Sequence, residues 1–595
     1  MQNRRDGLSS ASVRVAIAAA LVVFAVLTIA AFRLQVVKYD EYRNLARNNY
    51  VVQVSVRAPR GDIVDRGGVL VAGSRQSFSI CAIPRSILGN AGEMKILSRI
   101  LGLAEEDMRT KLAPVARSYR PTPVIRDADF ATLSVVEESF ADLPDVMVMT
   151  EPVRCYPLGP AFSHVLGYVG EATEDEIQAA PAEYSSGDFI GKAGLEKQYE
   201  VNLRGKDGLR YVKFTPGGGT GPVDVDDLPE YAPRSGMKLV LYADSRLQEL
   251  ASQLLEDRTG CIVVEDVTCG GILAMASNPA FDPSLFAVGI STKDWHRIVG
   301  SEGKPLLNRA FQAAYPPGST FKIVTAAMAL EEGIVSRNTR LDPCRGSRKF
   351  GNRVFHCWKE SGHGSLDLPG AVEVSCDVYF YQLGERMSAD VFGTYARRWR
   401  LDQATGIDLP GEIHGLVPDA RYYDRAYGKG KWTKGLMLNL AIGQGEVLLT
   451  PMELLVFVSG VANGGVCYPP QCVDRAEGDT RVEVFRDTPF DLEISDGTLD
   501  ILRESMLEVV EGDEGTGRIV RLPGLRVAGK TGTAQNPHGE DHALFVCFAP
   551  FDRPEIAIVV MLENAGHGAS EAAPLARMML AEYFGIGEPE EVAGN

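Results

Sequence analysis

Long runs of positive charge are missing from this chain of 595 residues, whose formal charge is −17 at pH 7. A polyanion such as nucleic acid therefore has no basic surface to bind, and that class of partner is excluded. Long hydrophobic runs are nearly missing too. One stretch alone, Val15 to Phe32, is apolar enough to cross a bilayer, with Thr28 its only polar side chain. Internal repeats and long low-complexity tracts are also absent, and 45% hydrophobic with 23% charged residues is ordinary for folded protein. Cysteine is sparse, at ten residues. A chain of this length builds its core without disulfides, so buried thiols are the simpler expectation for Cys261 in GCIVVEDV and Cys547 in LFVCFAP.

What is present divides along the chain. Arg4, Arg5 and Arg14 precede the apolar run, which is long for a signal peptide and lacks a clear A-x-A cleavage site. We therefore expect a short cytoplasmic tail (1–14), a retained transmembrane anchor (15–32) and export of everything after it, although Arg33, Lys38, Arg43 and Arg47 on the far side weaken the charge argument. Residues 33–235 mix short strands with helical pieces and end in a Gly-, Pro- and Asp-rich stretch, TPGGGTGPVDVDDLPEYAPRSG, that reads as a boundary or exposed loop. They carry no catalytic constellation and no sign of a glycosyltransferase site; Glu105, Glu106 and Asp107 read as a solvated helix start. From 236 to 587, amphipathic helices alternate with hairpin-joined strands, which predicts an α+β domain, followed by a C-terminal tail at 588–595.

The chemistry begins at YPPGSTFKIV. The Pro-Pro-Gly corner suits a loop feeding a helix, and Ser319 and Lys322, three apart, share one face of its first turn. A partly buried lysine loses proton affinity and can act as the serine's base, while helix N-terminal amides suit a developing oxyanion. Such a pair also arises by chance, as a capping serine beside a solvated lysine, so alone it decides nothing. Two later segments change the weight: VEVSCDVYF supplies Ser375 and Asp377, and VAGKTGTAQ supplies Lys530, Thr531, Gly532 and Thr533 on a strand. Ser375 can relay a proton between Lys322 and a leaving amine, and Asp377 can orient or balance the lysine. Lys530, Thr531 and Thr533 suit a substrate carboxylate, Gly532 lets the strand approach a ligand closely, and the amides of Ser319 and Thr533 suit an oxyanion hole.

This order of S-x-x-K, S-x-D and K-T-G is similar to the set shared by penicillin-binding proteins and class A β-lactamases. Over nearly its whole length the chain resembles a class B penicillin-binding protein. LNRAFQAAYPPGSTFK, LNLAIGQGEVLLTPMEL and VAGKTGTAQ look like the transpeptidase domain, and APRGDIVDRGGVLVA like the non-catalytic pedestal, or dimerisation-like, domain. RCYPLGPAFSHVLGYVGEATEDEI, GKAGLEKQYEVNLRGKDG and CWKESGHGSLDL resemble the elongation-specific branch, where Asp at position 377 is common. Gly67, Leu544 and Cys547 depart from the usual pattern without touching the proposed catalytic groups. The resemblance implies an antiparallel sheet flanked by helices and a peptidoglycan D,D-transpeptidase that cross-links stem peptides through a Ser319 acyl-enzyme. It implies β-lactams as suicide acylators and placement in the inner membrane as a single-pass protein with a periplasmic catalytic domain. A SEDS-family glycosyltransferase and elongation-complex scaffold proteins are the implied partners. A division-specific transpeptidase is the alternative; a β-lactam-hydrolysing relative or a β-lactam sensor fits the single anchor and long pedestal less well.

Cys344, Cys357, His363 and Cys376, spaced C-x12-C-x5-H-x12-C, offer three thiolates and an imidazole to a structural zinc, although the spacing matches no standard finger and catalysis requires no cofactor. The resemblance adds Asp342 as an alternative ligand to Cys344. A Cys344–Cys357 disulfide or simply buried thiols are the other readings. His164 and His356 are expected to be structural.

Overall fold

The computed structural model describes residues 10–39, 51–215, 219–222, 231–478, 482–484, 488–537 and 539–587. The expected C-terminal tail and most of the cytoplasmic tail lie outside them. The apolar run forms a helix, α1 (Ser10–Phe32), within a segment, Ala11–Val37, long and apolar enough to cross a membrane. From Ala11 to Phe32 its side chains are exposed, as lipid-facing residues would be.

Two compact units follow from the packing. The first comprises residues 1–58, 76–152 and 206–234; the second comprises 59–75, 153–205 and 235–595. In the first, Val51–Val56, Gly208–Thr215 and Gly219–Pro222 form an antiparallel sheet. A separate small core sits where the helices Ala91–Leu101, Glu105–Leu112 and Phe130–Glu138 bury Met94, Leu97, Met108, Leu133 and Val136 with Ile80 and Val124. Glu105, Glu106 and Asp107 open the second of these helices, where acidic residues complement the helix dipole.

The second unit is built on a five-stranded antiparallel sheet. In chain order its strands are β1 (Gly260–Asp266), β2 (Gly271–Asn278), β3 (Ala528–Ala534), β4 (His542–Ala549) and β5 (Ile556–Leu562), arranged in space as β2-β1-β5-β4-β3. The central strand, β5, reads as an unbroken apolar run, and its neighbour β1 as one up to Glu265, because both faces are covered. Alternate residues feed two cores. Cys261, Val263, Val559 and Met561 join Phe321, Val324 and Phe457 on one face, while Ile262, Val264, Ile558 and Val560 join Leu575 and Met579 on the other. The sheet is thus sandwiched between α2 (Lys322–Glu331) and α5 (Pro451–Ala462) on one side and α6 (Ala572–Phe584) on the other; α3 (Leu368–Glu373) and α4 (Asp377–Arg386) pack on the first side. Cys261 and Cys547 are fully buried, free thiols. β3, AGKTGTA, has almost no apolar side chain and lies at the sheet edge.

Segments 59–75 and 153–205 of this unit are tied to each other by a buried charge cluster. Glu196 is wholly buried and accepts from Arg60 Nε (2.5 Å) and Arg154 Nε (2.6 Å), while Arg60 also reaches Glu200 (2.6 Å) and Arg154 reaches the Gly61 carbonyl (2.7 Å). His164 is buried and bonds the Pro305 carbonyl at 2.8 Å, a structural placement; its burial pulls the imidazole down to about 4. His356 is exposed at the end of a short hairpin strand.

Candidate active site

The serine does not begin the helix itself. Gly318–Phe321 forms a single 3-10 turn and α2 starts at Lys322, so Ser319 sits, half-buried, just ahead of it. Backbone packing fixes that turn. Gly318 has φ 53° and donates to the Gly443 carbonyl (2.9 Å); a Cβ there would lie 2.5 Å from the Thr533 carbonyl oxygen of β3. A Cβ at Gly532 would lie 2.8 Å from Thr320 Cγ2 and 3.2 Å from the Pro317 oxygen. Glycines on both sides thus bring the edge strand and the serine turn together backbone to backbone. Gln444 Nε2 donates to the same Thr533 carbonyl at 3.3 Å.

Behind the serine, four of the residues singled out in the sequence form one network. Lys322 is fully buried, and its Nζ donates to the Ser375 carbonyl (2.9 Å), Ser375 Oγ (3.2 Å) and Asp377 Oδ1 (2.7 Å). Three N–H groups meet three acceptors, which is the arrangement of an ammonium. Lys530, from β3, is also fully buried and reaches Ser375 Oγ at 2.9 Å and the Thr531 carbonyl at 3.0 Å. Burial first, and then the neighbouring Lys322 charge, hold Lys530 well below the usual lysine range, with Asp377 opposing. The Ser375 hydroxyl therefore bridges a charged and a deprotonatable amine. Its residue has φ 52°, a left-handed conformation that a serine adopts only under constraint, between α3 and α4. Thr531 Oγ1 meets Thr516 Oγ1 at 2.8 Å, and Thr533 Oγ1 accepts from the Gly568 amide at 3.4 Å.

Sequence reasoning passed over three residues here: Trp358, whose amide donates to Asp377 Oδ2 at 3.0 Å, Gln444 and Thr516. Trp358 and Gln444 lie inside motifs that marked the family, but neither has a residue type that announces a role. Leu544 pairs opposite Gly532 and Cys547 opposite Gly529, so both departures line β4, one strand away from the reacting groups.

The Cys344, Cys357, His363 and Cys376 donor atoms all lie within 4.8 Å of one another. His363 Nδ1 stands 3.7 Å from Cys344 Sγ and 3.5 Å from Cys357 Sγ. The Cys376 thiol donates to Cys357, which draws Cys357 far down and pushes Cys376 up. A set of three soft sulfurs and one imidazole at these separations fits a tetrahedral zinc. Asp342 does not belong to it, because its carboxylate is turned to solvent and paired with Arg348 (3.1 Å). Nor are Cys344 and Cys357 bonded to each other, since both are free.

Residues 260–581 match the family model for the penicillin-binding protein transpeptidase domain, and residues 55–241 that for the penicillin-binding protein dimerisation domain. The chain is 35% identical over 586 residues to the peptidoglycan D,D-transpeptidase MrdA of Acinetobacter baumannii, spanning 94% of this chain and 86% of that one. Its fold is similar to penicillin-binding protein PBP2 of Helicobacter pylori, solved in complex with MreC, with TM-score 0.78, 27% identity, and coverage of 90% and 99% of the two chains. A chain from a peptidoglycan synthase complex that coordinates polymerization and crosslinking is similar at TM-score 0.72 and 30% identity, covering 98% of this chain and all (100%) of that one.

Proposed function

The chain belongs to the class B penicillin-binding proteins, and on that footing we propose how its site works. It is a peptidoglycan D,D-transpeptidase of the elongation type, an acyltransferase acting on D-Ala-D-Ala stem peptides; the MrdA and PBP2 relatives favour this over a division-specific enzyme. The observation that carries the mechanism is the Lys322–Ser375–Lys530 bridge beside the serine turn.

In that mechanism Ser319 attacks the carbonyl of the penultimate D-alanine, and Lys322 takes its proton. Lys322 must first lose one of its own. Ser375 provides the route: its hydroxyl proton passes to Lys530 while it receives one from Lys322, which leaves Lys322 neutral and Lys530 an ammonium. A charged Lys530 beside Thr531 and Thr533 then suits the substrate carboxylate. The Ser319 and Thr533 amides stabilise the oxyanion, and Ser375 returns a proton to the departing D-alanine amine. A neighbouring stem's amine attacks the ester and releases Ser319. β-Lactams would be trapped at the ester stage.

The Cys/His cluster is the proposed seat of a structural zinc, held by Cys344, Cys357, His363 and Cys376; the metal would supply cross-linking of the loop before α3 to the start of α4, and no chemistry. Among the described residues one helix is long and apolar enough to cross a membrane, as in a single-pass membrane protein, and we place the catalytic unit on the periplasmic side. Relatives solved with MreC and in a peptidoglycan synthase complex support elongation scaffold proteins as partners, and we extend this to a SEDS-family glycan polymerase.

Intact-mass spectrometry of the protein with benzylpenicillin tests the reading. One slowly lost adduct, absent from Ser319→Ala, is expected. A folded wild type that forms no adduct refutes the mechanism, and rapid turnover would make it a hydrolase.

A further inference from the structure

We propose that Trp358 is a positioning residue for the acylation step: its indole N–H, shared between the two carbonyls that flank Ser375, steadies the capped turn that aims the Ser375 hydroxyl between the two lysines. The inference rests on the transpeptidase reading and concerns how that site is kept in shape.

Trp358 Nε1 lies 3.0 Å from the Val374 carbonyl oxygen and 3.2 Å from that of Ser375. The indole N–H is therefore shared between the two carbonyls that bracket the one residue of this segment with φ 52°. The same two peptide planes are held on their N–H sides by the cap of α3, in which the Ser375 amide donates to the Val372 carbonyl (3.1 Å) and the Cys376 amide to the Ala371 carbonyl (2.9 Å), so the indole completes the restraint on the carbonyl sides and with it the direction of the Ser375 side chain. The added restraint matters because αL backbone is unfavourable for any residue with a Cβ. The other side chain bonded to the Ser375 carbonyl oxygen is Lys322, through Nζ at 2.9 Å. That group has to give up a proton during the reaction, so it holds the carbonyl least well when Ser375 is most needed. An indole has no such duty, since its N–H neither titrates nor accepts.

The tryptophan itself is held on three sides. Its own amide donates to Asp377 Oδ2, the preceding Cys357 amide donates to the Gly346 carbonyl (2.9 Å), and its ring packs at 5.1 Å against His363. Yet the residue is 60% exposed. An exposed tryptophan contributes little to a core, so its ring is spared from packing while its one polar atom is committed to the catalytic segment. Removing that atom leaves no cavity behind.

The test replaces the N–H and nothing else. β-(3-Benzothienyl)alanine at position 358 swaps the indole N–H for sulfur in a ring of nearly the same shape; Trp358→Phe is the ordinary variant. Acylation by benzylpenicillin is followed against concentration, so that the rate constant separates from the prior binding constant, and the adduct yield counts active molecules. With the bracketing bond lost, the rate constant is expected to fall about tenfold in both variants, with binding constant, adduct yield and melting temperature unchanged. A benzothienyl variant that acylates at the wild-type rate overturns the proposal. So does a loss confined to adduct yield or melting temperature, which is the mark of a merely structural residue. If wild-type protein itself is not acylated, the transpeptidase reading fails instead, and this proposal with it.

Discussion

Alanine at Gly532 should disable the enzyme by pushing the edge strand off the serine turn. Its Cβ would stand 2.8 Å from Thr320 Cγ2, 3.1 Å from Leu544 Cβ and 3.2 Å from the Pro317 oxygen. Carbon atoms need about 3.5 Å or more, so the shortfall against Thr320 is roughly 0.7 Å. Thr320 cannot swing away, because it is fully buried and its Oγ1 donates to the Pro317 carbonyl at 2.6 Å. β3 must therefore retreat, carrying Lys530, Thr531 and Thr533 from Ser319. A misplacement of about 1 Å at a reacting centre costs on the order of 10²-fold, so a fall of about 10- to 100-fold in benzylpenicillin acylation is expected, with overpacking adding about 1–3 kcal/mol of destabilisation. Thr320→Ser supplies the control. It keeps the hydroxyl bond and deletes Cγ2, so the Gly532→Ala, Thr320→Ser double variant should recover much of the loss, a coupling a double-mutant cycle reads directly. Wild-type acylation in Gly532→Ala, or no recovery in the double variant, would refute the contact argument.

Glu265, wholly buried on β1 with Ser459 Oγ donating to it at 2.6 Å, is pushed up to about 8 by burial. An acid whose folded value lies above its unfolded value of about 4.5 stabilises the protein fully below that pH, and loses its contribution as pH rises to about 8, by up to about 5 kcal/mol. Glu265→Gln should therefore flatten the melting temperature between pH 5 and 8.5 and exceed wild type at the alkaline end; parallel curves would contradict this. Glu196→Gln leaves Arg154 without its counter-charge in the interior and Arg60 with Glu200 alone, and a loss of about 3–5 kcal/mol should appear as a markedly lower melting temperature. An unchanged midpoint would show the cluster to be dispensable. For the Cys/His set, elemental analysis of purified protein should find about one zinc per chain, reduced in Cys376→Ser along with thermal stability; full zinc content in that variant would rule out the four-ligand site.

The fold was legible where periodicity and turn chemistry agree. The buried β5 announces itself as a continuous apolar run, and the membrane-crossing stretch Val15 to Phe32 as a long run with one polar residue. What periodicity could not reveal is which distant segments pack together. PRGD near the anchor, RCYPLG and GLEKQYE read as separate family motifs, and their shared purpose becomes visible only when Arg60, Arg154 and Glu196 meet in one buried ion cluster. The cluster joins 59–75 to 153–205, and both segments belong to the second unit, whereas composition draws one line near 235. Charge burial of this kind is a property of three chain segments at once, and no window along the sequence contains it.

At the site, residue types identified Lys322, Ser375, Asp377 and Lys530, but not their protonation. From the sequence, Asp377 is a charge that opposes a basic lysine. In space it is one member of a balanced set: two buried lysines around one hydroxyl and one carboxylate, with Lys530 held toward the neutral form. The Asp377 carboxylate already pairs with Lys322. An incoming substrate carboxylate brings a second negative charge to the β3 side. It favours the proton on Lys530, and the only donor linked to Lys530 through Ser375 is Lys322. Binding the substrate would thus itself prepare the base, which resolves the conflict that Asp377 poses on paper and explains why the hydroxyl between the amines has to be held in place.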